Sequence, residues 1–370
     1  MVGTKLIKLL LTFAAVASFV LIQSCAADEG QLSYISLPPG FSIEVYADVP
    51  YARSLALGGN GTVFVSNRRA NSVYALIPAD DGQPEVIELA SGLQTPNGIA
   101  YFDGDLYVAE ITRVLRYRNV ESRLHDMPDA EVLDIDLPSE KHHGWRYIGF
   151  GPDGKLYINI GAPCNLCDRD GFARIIRMNP DGSDREAYAT GIRNSVGFTW
   201  HPDTGELWFT DNGRDMLGDD LPPDELNHAP IAGLHFGYPY CHAGEILDPE
   251  FGDGRICADY APPAQKLGPH VAPLGIKFYT GTEFPPTYQG QIFIAEHGSW
   301  NRSKKIGYRV SLVRLQNGQP IAYEVFAEGW LQGRSVSGRP VDLLVLGDGS
   351  MLVSDDHAGK VYRIYYEGND

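Results

Sequence analysis

Short apolar runs alternate with turns along this chain, and one phrase returns six times: a turn carrying Gly, an apolar strand, then a small or polar residue. Val63-Phe64-Val65-Ser66-Asn67 follows Asn60-Gly61, and Leu106-Tyr107-Val108-Ala109-Glu110 follows Asp103-Gly104. Leu156-Tyr157-Ile158-Asn159 follows Asp153-Gly154, and Leu207-Trp208-Phe209-Thr210-Asp211 follows Thr204-Gly205. Ile292-Phe293-Ile294-Ala295-Glu296 follows Gln289-Gly290, and Met351-Leu352-Val353-Ser354-Asp355 follows Asp348-Gly349. A unit this short cannot bury its apolar face alone and must stack on its neighbours. Asx-Gly turns between short strands are hairpin signals, so each unit reads as a small antiparallel sheet. Six such sheets set radially predict an all-β fold, a six-bladed β-propeller.

Four of the five gaps between the turn glycines run from 43 to 59 residues, close to one four-stranded blade each. The gap from Gly205 to Gly290 is 85 residues and must hold an insertion, expected at about 214–270. Such an excess is where a propeller builds a functional loop. The repeat also predicts a ring of strand-end oxygens near the central channel: Asn67, Glu110, Asp211, Glu296 and Asp355. Taken singly, each is equally well an ordinary strand-end polar residue.

Met1 to Ser24 carries Lys5 and Lys8, then an apolar run from Leu9 to Ile22, and reads as a targeting segment. Ile22-Gln23-Ser24-Cys25 resembles a bacterial lipoprotein signal with lipid on Cys25; cleavage after Ala26 or Ala27 is the alternative. The expectation is an exported, periplasmic chain anchored to the outer membrane by lipid, with residues 25–36 as tether and 37–366 as a single domain. The full chain has a net charge of −17, which argues against nucleic acid and anionic membrane surfaces as partners. With Cys25 lipidated, Cys164, Cys167, Cys241 and Cys257 remain, an even number that reads as two disulfides in an oxidising compartment. Local pairing, Cys164 with Cys167 and Cys241 with Cys257, is preferred over a zinc site. Cys167 is followed by Asp168, not His, so covalent haem attachment is not indicated.

Several segments depart from generic propeller sequence. His142-His143-Gly144-Trp145-Arg146 precedes the Gly151-Pro152-Asp153-Gly154 turn, and a neutral His beside a cation suits a general base. Two adjacent histidines on extended backbone would point opposite ways; a packed loop His is the plain alternative. Gly191-Ile192-Arg193-Asn194 supplies a donor fork and an amide, fit for a ligand rich in carboxylate or quinone oxygens, or else for a surface ion pair. Asp211-Asn212-Gly213-Arg214-Asp215 and the acidic residues after it offer what a hard cation requires, although the spacing is not that of an EF-hand. A solvated acidic loop is the alternative. Glu296-His297-Gly298-Ser299-Trp300-Asn301-Arg302, Gly338-Arg339-Pro340-Val341-Asp342 and Asp355-Asp356-His357 each sit beside a repeat strand. No phosphate loop, dinucleotide fingerprint, GxSxG elbow or HExxH is present, which removes most of the case for NAD chemistry and serine-type hydrolysis.

In this order, these segments resemble the glucose/sorbosone dehydrogenase family, closest to its sorbosone dehydrogenase-like branch. The match runs from Leu37-Pro38-Pro39-Gly40-Phe41 to Gly359-Lys360-Val361-Tyr362-Arg363-Ile364. The resemblance implies a six-bladed propeller that binds pyrroloquinoline quinone (PQQ) with Ca²⁺ and oxidises an aldose or related sugar to its lactone. It places the catalytic base at His143, with His142 one register away, and keeps Arg146 beside it. Arg193, Asn194, Asn212, Arg339 and Asp356 match cofactor-facing positions, and Gly213 and Arg214 match the carbonyl ligands of calcium. Val341 stands where soluble glucose dehydrogenases carry a second Arg. The family's cofactor-binding Lys has no clear match, leaving Arg302, then Lys304 or Lys305, to take its place. Electrons would pass to a respiratory or other external acceptor. A calcium-dependent lactonase-type propeller and a non-catalytic binding propeller are the alternatives.

Overall fold

The computed structural model describes residues 32–80 and 82–368, so the expected leader and lipid-bearing Cys25 lie outside the described residues. The repeat folds as six radial sheets. Blade 1 holds Leu55–Leu57, Val63–Asn67, Ser72–Ile77 and Glu85–Ala90; blade 2 holds Gly98–Phe102, Asp105–Ala109, Val114–Tyr117 and Glu131–Val132. Blade 3 is Ile148–Phe150, Leu156–Ile160, Arg174–Met178 and Glu186–Thr190; blade 4 is Phe198–Trp200, Leu207–Asp211, Pro223–Ala229 and Gln265–Pro269. Blade 5 is Pro273–Phe278, Ile292–Glu296, Arg309–Gln316 and Gln319–Glu328. Blade 6 is Pro340–Val345, Met351–Asp355 and Lys360–Tyr366, completed on its outer edge by Phe41–Asp48 from the start of the propeller.

The repeated phrase is the second strand of every blade, and each of these six strands is buried along its whole length. A strand covered on both faces carries a continuous apolar run instead of an alternating one, which is why it recurs so visibly. The turn before it needs left-handed backbone, supplied by glycine as at Gly61 (φ 86°) and Gly349 (φ 95°). Phe41, on the closing strand, packs edge-on against Phe284, Tyr288 and Phe326 at 4.7, 5.2 and 5.1 Å. Near the axis, side chains tie neighbouring blades. Asn97 Nδ2 donates to Arg146 O (3.1 Å), Thr210 Oγ1 to Leu274 O (2.7 Å), and Leu55 N to Asp342 Oδ2 (3.0 Å).

The expected insertion belongs to blade 4. Residues 230–264 leave its third strand, and Leu234–His235 adds in parallel to the outer strand of blade 3. The excursion then forms a hairpin of Cys241–His242 with Ile246–Leu247 before returning. Both disulfides form with the local pairing: Cys164–Cys167 and Cys241–Cys257.

Candidate active site

In each blade the innermost strand begins, and the second strand ends, at the same mouth of the channel. A cavity of about 410 Å³ opens there, within the range of small-ligand sites. Residues entering the inner strands reach it, among them Arg53, Asn194 and Arg339. So do the residues just after the second strands: Arg68, Asn212, His297 and Asp356.

The expected ring of strand-end oxygens is corrected by this geometry, because none of its five members lines the cavity. Successive residues of a strand point opposite ways, so the residue after each strand end takes the channel side. The strand-end groups instead hold local backbone. Asn67 Oδ1 accepts from Ala70 N (2.7 Å), and Asp355 Oδ1 from Arg339 N (2.9 Å) and Ala358 N (2.8 Å). Asp211 accepts from Arg193 N and Asn194 N, while Glu296 pairs with Arg309 at 2.7 Å. Glu110 is ion-paired with Arg113.

His142 and His143 both line the cavity, with ring centroids 4.0 Å apart. They do not diverge as extended backbone would make them, because His143 sits in a turn with φ 49°. A non-glycine residue in that region is strained, and such strain collects at functional positions. His143 Nδ1 lies 2.8 Å from Ala162 O, which makes Nδ1 the protonated nitrogen and leaves Nε2 as the free acceptor. Burial lowers the His143 pKa to about 2, aided by Arg193 and His142, so the ring is neutral. Gly161 backs it: a Cβ there would stand 2.7 Å from His143 Cβ.

Arg146 does not stay beside His143. It is buried away from the cavity, with Nε donating to Ile111 O (3.0 Å) and Nη2 to Pro138 O (2.7 Å). Trp145 takes the cavity side and Arg146, next along, turns outward. The cation near His143 is Arg193. Its guanidinium donates to Asn165 O, Asn165 Oδ1, Asn212 O and Asp215 Oδ2 at 2.9–3.0 Å. Asn165 stands between the two cysteines of the Cys164–Cys167 bridge, so the disulfide loop anchors the arginine.

On another part of the wall, Asp356 accepts from His297 Nε2 (2.7 Å) and Arg53 Nη1 (2.9 Å). Burial opposes its charge, but His297 and Arg53 hold the carboxyl far below its usual range. His297 is pushed down to about 4 by burial and donates as a neutral ring. Arg339 donates to the carbonyls of His297 (2.9 Å) and Gly298 (2.7 Å).

Arg302 turns away to Asp220 (2.7 Å), leaving Asn301 at the cavity, and neither Lys304 nor Lys305 lines it. Gly213 faces the cavity with its N–H held by Asp224 Oδ1 (2.8 Å), whereas the Arg214 side chain is buried against Asp248 (2.5 Å).

Sequence reasoning missed Arg53, Arg68, Arg69 and Trp145 as cavity residues. The signal for Arg68 was available, since it holds the same register after its strand as Asn212, His297 and Asp356.

The donor set fits a polyanionic quinone. Five arginines line the cavity of a chain whose net charge is −17. The Asn194 amide lines the cavity as well, with its Oδ1, an acceptor, buried without a partner. For calcium the side chains supply less. Among the described residues no group of three or more His, Cys, Asp or Glu side chains converges, so a cation would rest on main-chain carbonyls and on the ligand.

Residues 101–301 match the family described as Glucose / Sorbosone dehydrogenase, and residues 245–367 match TrAA12-like. An uncharacterized protein of Borreliella burgdorferi is 34% identical over 373 residues, spanning 96% of this chain and 97% of that protein. A pyrroloquinoline quinone-dependent pyranose dehydrogenase of Coprinopsis cinerea is 32% identical over 135 residues, 31% of this chain and 18% of that protein. The holo form of the PQQ domain of Coprinopsis cinerea pyranose dehydrogenase superposes with TM-score 0.79 at 19% identity, covering 90% of this chain and 97% of that one. The calcium structure of Trichoderma reesei Carbohydrate-Active Enzymes Family AA12 gives 0.79 at 20% identity with the same coverage. At these identities the structural likeness is one of fold.

Proposed function

The chain belongs to the glucose/sorbosone dehydrogenase family, and from that premise we propose that it is a PQQ- and Ca²⁺-dependent dehydrogenase of the cell envelope that oxidises an aldose at its anomeric carbon. The observation that carries this reading is His143, neutral, with Nδ1 committed to Ala162 O and Nε2 free in an arginine-lined cavity. When bound, PQQ supplies the two-electron acceptor for a hydride, with Ca²⁺ as Lewis acid.

The residues of the chain do the rest. His143 Nε2 takes the proton of the anomeric hydroxyl as the C–H bond breaks. Arg193 disfavours a charged His143 before the substrate arrives, so the base is ready in its neutral form. Asn194, Asn212, Arg339 and Asp356 hold and orient the cofactor. The Gly213 carbonyl would hold calcium, with Asp224 fixing the Gly213 peptide, and the neighbouring Arg214 carbonyl is the second ligand the resemblance implies. Arg146 and Arg302, which do not line the cavity, take no direct role in this reading. The envelope location rests on the expected leader and lipid-bearing Cys25, and the product would be the sugar lactone.

The test is reconstitution of the mature chain with Ca²⁺ and PQQ, followed by reduction of an artificial dye across a panel of aldoses. Turnover that needs both additions supports the reading. Lactone hydrolysis without any need for the quinone would replace it by a hydrolase.

A further inference from the structure

Two of the five cavity arginines have their charge met inside the protein. Arg53 pairs with Asp356 and Arg193 with Asp215, each at 2.9 Å. Arg339 donates to two carbonyls but meets no carboxylate. Among the described residues, Arg68 and Arg69 have neither an ion pair nor a hydrogen bond. The Arg68 guanidinium sits over the Trp145 ring, 3.9 Å from its centroid, and its Nη1 is buried without a partner.

That arrangement is unfavourable by itself. Burial and the charges of Arg53, Arg69 and Arg339 lower the Arg68 pKa to about 9, with only Asp356 acting against them. A half-buried guanidinium with unused donors forfeits hydration without replacing it. An anion arriving in the cavity reverses the sign, because charge-assisted hydrogen bonds to a planar fork are among the strongest available. Trp145 keeps that fork in place through its ring face.

We propose that Arg68 and Arg69, backed by Trp145, form a carboxylate subsite on the blade 1 wall, which together with Arg339 receives the carboxylates of the quinone cofactor. Three arginines stand without a carboxylate partner, matching the three carboxylates of PQQ. The subsite supplies the positive charge missing at Val341 and at Arg302, Lys304 and Lys305, none of which lines the cavity. It leaves no spare cation for an acidic sugar, so the substrate is a neutral aldose. This rests on the dehydrogenase reading, and the experiment separates the two.

PQQ is titrated calorimetrically into the purified chain in Ca²⁺-containing buffer without sugar. Arg68→Gln is expected to weaken binding by about tenfold or more, with a smaller loss for Arg68→Lys, which keeps charge but not the fork. Arg69→Gln also weakens it; Arg69 is exposed, so this variant tests the subsite even where Arg68→Gln disturbs folding. Wild-type PQQ affinity in both Gln variants overturns the assignment of these arginines to the cofactor and leaves the dehydrogenase reading standing. If the wild type ignores PQQ, citrate is the second probe, read by Trp fluorescence. A citrate response lost in Arg68→Gln keeps the subsite and discards the dehydrogenase reading, and no response to either anion discards both. Unchanged PQQ affinity with a selective loss on glucuronate relative to glucose assigns the subsite to substrate and overturns the cofactor assignment.

Discussion

Three constraints hold His143: a left-handed backbone (φ 49°), the hydrogen bond from Nδ1 to Ala162 O, and bare Gly161 against its Cβ. Its imidazole is therefore expected to stay neutral down to about pH 4, against an ordinary His midpoint near 6.5, which NMR titration of the ring nitrogens reads directly. Gly161→Ala forces Cβ into the His143 side chain. It should cost about 1–3 kcal/mol of stability and lower dehydrogenase activity by about tenfold or more, measured by denaturant melts and dye reduction. The sequence singled out the His pair but not its turn, since no glycine marks the left-handed position. It also paired Arg146 with His143 by proximity along the chain. Alternation puts Trp145 on the cavity and Arg146 behind it, and that depends on a backbone path that residue identity alone does not fix.

At the scale of elements, the loop between Cys164 and Cys167 links blade 3 to blade 4. Asn165 accepts twice from Arg193, and its amide is bonded in both directions with the Asp215 backbone. Replacing both Cys164 and Cys167 by Ser should loosen Arg193 and weaken PQQ binding several-fold, while the Cys241/Cys257 pair of Ser substitutions should affect mainly stability. Calorimetry and thermal melts on the two double variants separate these effects. Equal PQQ affinity in the Cys164/Cys167 variant would show that Arg193 needs no such anchor. The pairing itself was legible from an even cysteine count and short spacings. The task of Asn165 was not, because its partners lie 28 and 50 residues away. The six strands were legible because each is buried on both faces, whereas the short strands of the insertion carry no repeat.

At the scale of the whole molecule, the ring is closed by Phe41–Asp48 along Lys360–Tyr366. Phe41→Ala should cost about 3 kcal/mol, and removal of residues 32–48 should abolish a cooperative melt by leaving an open edge and an uncovered aromatic cluster. Calorimetric scanning measures both. Two buried histidines make acid costly to the fold, while the buried carboxyls of Asp224 and Asp355, held up at about 7 and about 6 by burial, act in the opposite sense. His143 and His297 are neutral when folded, with pKa values of about 2 and 4, but titrate near 6.5 when unfolded. At these two histidines the unfolded chain binds more protons below about pH 6.5, so their contribution to stability falls as pH drops through that window. His143→Gln should remove its share of that loss, so the variant gains stability relative to wild type as melts are run from about pH 7 down to pH 5. Charge is unevenly spread at this scale: a net −17 surrounds a cavity with five arginines. Cofactor binding should accordingly weaken with salt.

The central claim is that this cavity passes hydride from a sugar to a bound quinone with His143 as base. The direct measurement is an anaerobic single turnover: the chain loaded with PQQ and Ca²⁺, mixed with aldose, and followed by the quinone absorbance. No electron acceptor is needed, so its identity does not enter. Sugar-dependent reduction that slows by about 100-fold or more in His143→Ala, with the quinone still bound, is the predicted result. A bound quinone that no aldose reduces, or one reduced as fast without His143, would contradict it.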